Sequence, residues 1–150
     1  MTEQKKEMAY VPTETATASR EKKRQRRSLA QLQVYRDISN MKFLIAKQML
    51  TAPRRLAKFY DGLLMTTSEA KKCIGLADAS RDAETRVWYQ NCAMVMMQDV
   101  RDDFMILHSL NEVGTDKWKK TKALAKGIAA QLIAWRDYTR GEGAKSEGDQ

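Results

Sequence analysis

From Leu29 to Thr51 the apolar residues Leu29, Leu32, Tyr35, Ile38, Met41, Ile45 and Met49 recur every three or four positions. That spacing brings them to one face of an α-helix, with Ser28 as the expected N-cap. Pro53 ends the run, because the residue before a proline is steered out of the helical region, while proline itself suits the first turn of a following helix. A second stripe, Leu56, Phe59, Tyr60, Leu63, Leu64, Ala70, Cys73, Ile74 and Ala77, runs to about Ser80. Ser80 caps a third and longer helix, with Asp82 and Glu84 complementing its dipole. Its stripe is Ala83, Val87, Trp88, Cys92, Val95, Met96, Val100, Phe104, Leu107 and Leu110, and Gly114 supplies the stop. Thr115 caps a fourth helix with Trp118, Leu124, Ala125, Ile128, Leu132, Trp135 and Tyr138, ending at Gly141. No segment alternates with period two. The pattern predicts an all-α fold, an antiparallel up-down four-helix bundle over residues 28–140.

The flanks differ in kind. Residues 1–27 are polar and hold almost no large apolar side chains, so they read as a disordered basic arm. The arm ends in Arg20, Lys22, Lys23, Arg24, Arg26 and Arg27 around one acid, Glu21. Residues 141–150 carry Gly, Ser and acids and read as a flexible acidic tail of net −2. Hydrophobic residues make up 43% of the chain, enough for a core, yet no apolar run approaches the roughly 18 residues a membrane span requires. The opening MTEQKKEMAY has no apolar stretch behind its lysines, so no secretory leader and no membrane partner are expected, and the expected location is cytoplasmic. Cys73 and Cys92 then read as reduced.

Candidate chemistry is sparse. Asp99, Asp102, Asp103 and Glu112 lack the Glu-x-x-His partners of a di-iron bundle and read as a solvated or subunit-facing surface. His108 has only Glu112 at helical spacing beyond it, with no second histidine or cysteine in ligand-like spacing, so it reads as structural. Met94, Met96, Met97 and Met105 read as adaptable core filler, with a groove for a partner helix as the lesser alternative. No nucleophile stands beside a positioned base. Catalytic residues, a metal and a cofactor are therefore not expected.

Charge is more informative. The net charge is +8. Residues 116–140 hold seven basic residues against two acidic, while residues 81–113 hold three against six. Lys119, Lys122 and Lys126 share one helix face by their spacing, with Lys117 and Lys120 nearby and Arg136 and Arg140 beyond. Arg54, Arg55 and Lys58 open the second helix, whose dipole also attracts anions. Together with the arm these residues point to a polyanion partner, RNA or DNA, bound through phosphates without base reading, since no RNA- or DNA-reading module accompanies them.

The segments Pro53-Arg54-Arg55 with Lys58 and Gly62, the single long third helix closing at Gly114, and Ile128-Ala-Ala-Gln-Leu132-Ile-Ala-Trp135 resemble a known family of small four-helix bundles. That family includes the accessory variability determinant of diversity-generating retroelements and the proteins encoded in intervening sequences of bacterial large-subunit ribosomal RNA. The resemblance covers about residues 30–140. It implies a non-enzymatic protein that forms a ring-like homopentamer with a basic surface and, in the retroelement branch, binds template RNA or complementary DNA and a reverse transcriptase to support mutagenic retrohoming. Ala129, Ala130 and Gln131 depart from the small or basic residues common there, and the basic arm is not a general family feature. The alternatives are an intervening-sequence type of protein and a protein-binding adaptor with no nucleic-acid role.

Overall fold

A computed structural model describes residues 32–148; the basic arm, Ser28 and Leu29 lie outside the described residues. Four helices run antiparallel: α1 (Gln33–Thr51), α2 (Ala57–Ala79), α3 (Ala83–Ser109) and α4 (Thr115–Gly148), with a 3₁₀ turn at Arg54–Leu56 leading into α2. Each packs on the next, and α1 closes against α4. The described residues form an all-α four-helix bundle without strands. None of their helices is long and apolar enough to cross a membrane.

The core is a set of stacked layers one helical turn apart. Ile38, Met41 and Ile45 of α1 meet Tyr60, Leu63, Ala70, Ile74 and Ala77 of α2, all fully buried, as the stripes predict. On α3 the buried row is Gln90, Ala93, Met97, Val100, Phe104 and Leu107. The N-terminal half of the expected stripe is therefore rotated out of the core, and Trp88 and Val95 are 62% and 63% exposed. On α4, Thr121 and Thr139 are buried with Ala125, Ile128 and Leu132, and Tyr138 faces outward.

The helix ends show which local interactions set the boundaries. The cap of α3 is Asp82 rather than Ser80: its carboxylate accepts from the Thr85 amide at 2.9 Å and the Thr85 hydroxyl at 2.7 Å. These bonds hold its pKa below the ordinary carboxylate value, the Thr85 hydroxyl contributing most. Ser80 instead ends α2, where Arg86 reaches back to the Ala77 carbonyl at 3.0 Å and the Ser80 carbonyl at 2.8 Å. α3 stops at Ser109, before Gly114. Asn111 takes the left-handed conformation with φ 60°, and the Asn111 and Glu112 amides donate to the His108 and Leu107 carbonyls at 3.0 and 2.9 Å. That pairing is a Schellman motif with asparagine in the usual glycine place.

α4 does not stop at Gly141 but continues to Gly148, so most of the segment expected as a flexible tail is helical. Gly143 fits the packing of the continued helix. A Cβ there would lie 2.9 Å from the Ala83 Cβ, so its glycine lets the last turns of α4 pass close over the start of α3. Gly62, by contrast, is exposed, with nothing within 4 Å of an added Cβ, and answers no packing need.

Candidate nucleic-acid interface

The bundle topology sorts the basic residues by place. The α1–α2 and α3–α4 connections share one pole, where Arg54, Arg55 and Lys58 open α2 and Lys117, Lys119 and Lys120 open α4, all six exposed. Arg55 donates to Glu112 of the α3–α4 connection, and Lys117 donates to the Gln48 side chain of α1 at 2.8 Å. The two connections are thus tied together, and Arg55 is already paired with an acid. The arm residues Arg20, Lys22, Lys23, Arg24, Arg26 and Arg27 lie outside the described residues.

The lysines of α4 that cluster in sequence divide between two sides of the helix. Lys122 and Lys126 border a groove of about 310 Å³ between α3 and α4, together with Arg101 of α3; Met94, Met97, Ala125 and Ala129 supply its apolar lining. Lys119 shares their face by its spacing. Lys117 and Lys120 instead turn toward α1, where they and Lys47 border a cleft of about 160 Å³ lined by Leu44, Phe104, Val113 and Thr121. Arg136 and Arg140 lie toward the other pole. Arg136 is half-buried, donates to Asn91 of α3 at 3.1 Å and pairs with Asp137 at 3.6 Å, so its position is fixed by packing. Arg140 is exposed.

Arg101 and Lys47 escape a reading by whole helices. Arg101 stands on the most acidic helix and Lys47 on one of modest charge, and only the packing of α3 and α1 against α4 brings them to the lysines. The long spacing signal available was the heptad of α3, in which Met94 and Arg101 are seven apart.

The remaining candidates fall into structural roles. His108 Nδ1 lies 3.1 Å from the Val113 carbonyl, to which it donates when that nitrogen is protonated. Its ring stacks on Trp118 at 5.9 Å between centroids and 16° between planes. Asp103 is half-buried beside Asp99 and Asp102; burial, and then those two charges, raise its carboxyl above the ordinary range. No group of histidine, cysteine and acidic side chains able to hold a metal occurs among the described residues. Cys73 is buried, and burial raises its thiol pKa, with smaller contributions from Cys92 and Glu69. Both cysteines are free.

Of the resembling segment, Ile128 and Leu132 are fully buried and Trp135 is half-buried. Gln131 faces α1 and donates to Asp37 at 2.6 Å, a contact that explains a polar residue there. No family model, curated protein or solved structure matches the chain.

Proposed function

We propose that this protein is a non-enzymatic, cytoplasmic nucleic-acid-binding bundle. The observation that carries the reading is the α3–α4 groove, where Arg101, Lys122 and Lys126 converge around an apolar lining with Lys119 on the same helix face. Three cations with flexible reach meet phosphates along a strand and release counterions. The exposed Arg54, Lys58 and Arg140 add positive charge on the bundle, and the sequence of the arm adds six further basic residues. The family resemblance supports the particular role: an accessory protein of a diversity-generating retroelement that self-associates and docks a reverse transcriptase. Opposite charge on α3 and α4 supports self-association, since the acidic face of one copy complements the basic face of another.

Binding of fluorescently labelled single-stranded RNA and duplex DNA between about 50 and 200 mM salt tests this reading. Affinity is expected to fall steeply with salt and to vary little with sequence. Replacing Arg101, Lys119, Lys122 and Lys126 by glutamine is expected to flatten the salt slope while leaving helix content intact. An unchanged slope removes the groove from the interface, and no binding by the unaltered protein at low salt removes the function.

A further inference from the structure

The α1–α4 side of the bundle combines three features that phosphate binding does not use. The cleft there is predominantly apolar, with Leu44, Phe104 and Val113 in its lining. Phe104 is only 2% exposed, so it presents no open ring face on which a base might stack. A cavity of about 150 Å³ holds a benzene molecule, so this cleft of about 160 Å³ has room for one apolar side chain. Beside it, on the outward face of α1, Phe43 and Leu50 are 67% and 86% exposed. They stand two helical turns apart, roughly 10 Å along the axis, with Lys47 between them.

Charge decides the occupant. Lys47, Lys117 and Lys120 surround the cleft, its lining includes no acid, and none of the three pairs with a carboxylate among the described residues. Apolar residues exposed singly, such as Met65 and Leu110, need no partner, whereas an apolar cleft flanked by exposed apolar side chains and rimmed by lysines has the make-up of a protein-binding surface. A helix laid in a groove offers anchors at i, i+3 or i+4, and i+7. In such a helix one anchor would fill the cleft and the others would cover Phe43 and Leu50.

We infer that the α1–α4 cleft and the adjoining Phe43–Leu50 face dock an acidic amphipathic helix of a protein partner, whose central apolar anchor enters the cleft while flanking carboxylates meet Lys47 and Lys120. This surface lies on the opposite side of α4 from Lys122 and Lys126, so the two functions are separable.

The test uses the full chain and a fluorescein-labelled, helix-forming 18-residue peptide with Leu at i, i+3 and i+7 and Glu on the flanking positions. Its scrambled isomer and a version with Lys in place of Glu serve as controls. Both controls are expected to bind at least tenfold more weakly. Phe43→Ser with Leu50→Ser, and Lys47→Glu with Lys120→Glu, are each expected to weaken the acidic peptide at least tenfold; these side chains lie on the surface, and circular dichroism verifies folding. Lys122→Gln with Lys126→Gln is expected to leave peptide binding unchanged, so failure of the nucleic-acid reading and failure of this one are read in different variants. The inference is overturned if the acidic peptide does not bind, if the scrambled isomer binds equally, or if neither surface variant weakens it. It is also overturned if single-stranded RNA displaces the peptide and loses affinity in the same two variants, which assigns the cleft to nucleic acid.

Discussion

The side-chain amide of Gln90 donates to the hydroxyl of Thr139 across 3.0 Å, joining α3 to α4 inside the bundle where both residues are buried. The Thr139 hydroxyl in turn donates to the Trp135 carbonyl at 2.9 Å. A buried donor that loses its acceptor carries its full desolvation penalty, whereas removing both partners is close to neutral. Thr139→Val is therefore expected to cost about 1–3 kcal/mol. Adding Gln90→Leu to that variant should recover most of the loss. Urea denaturation measures both, and a single variant as stable as the unaltered protein would contradict the buried pairing.

The same pair explains what the sequence left hidden. Stripes on α1 and α2 were legible because their buried positions are mostly large and apolar. On α3 the row through Gln90 and Ala93 carries a polar and a small residue, while Trp88 and Val95 on the outward face supply the stronger apolar signal. Burial of Gln90 depends on Thr139, 49 residues away, which no local pattern encodes. The site behaves alike: lysine spacing along α4 reveals Lys119, Lys122 and Lys126 on one face, but the closure of α1 and α3 on α4 decides which other cations join each group.

Two glycines, one at the helix's expected stop and one two residues beyond it, separate a helical ending from a coil. Gly141 has open space around its Cα, while an added Cβ at Gly143 meets Ala83 at 2.9 Å. In a continuous helix Gly141→Ala should stabilise by up to about 1 kcal/mol through reduced freedom of the unfolded chain. Gly143→Ala should lower the melting temperature instead, because the neighbour to be displaced is a short side chain on a packed helix. Equal effects at the two positions would argue against close passage of α4 over α3.

Arg86 closes the end of α2 from the first turns of α3, with Nε donating to the Ala77 carbonyl, which also accepts from the Ser80 amide at 3.3 Å, and Nη2 donating to the Ser80 carbonyl just past the helix. Charged donors contribute about 1.5–3 kcal/mol per hydrogen bond, and a cation here also favours the negative end of the helix dipole. Arg86→Ala is expected to cost about 2 kcal/mol by these principles. Arg86→Lys should recover only part of this, since an ammonium cannot fork to two carbonyls in the same plane. Hydrogen exchange at the α2 C-terminus should accelerate in both variants.

Asp103 ties stability to pH. Its folded pKa is raised above the ordinary value of 3.8, first by burial and then by Asp99 and Asp102. The folded chain therefore holds this proton more tightly than the unfolded chain does. Its contribution is fully present below the unfolded value and is lost as pH rises through the folded one. Asp103→Asn should raise stability at neutral pH, with the gain disappearing below about pH 4. A gain that persists in acid would assign the effect to packing rather than to charge.

The ion pair between Arg55 and Glu112 governs how many charges the pole offers to phosphates. The Arg55 guanidinium is largely exposed, yet Glu112 already neutralises it. Glu112→Gln frees that cation and removes an opposing charge without altering side-chain shape. If the pole contacts nucleic acid, the log-log salt slope on duplex DNA should steepen by about 0.9. Arg55→Gln in the unaltered protein should leave the slope nearly unchanged, because the cation it removes is already spent on Glu112. In the Glu112→Gln background, Arg55→Gln should return the slope to its starting value. This double-mutant cycle isolates the pair, and a slope indifferent to Glu112→Gln would confine phosphate contact to the α3–α4 groove and the arm.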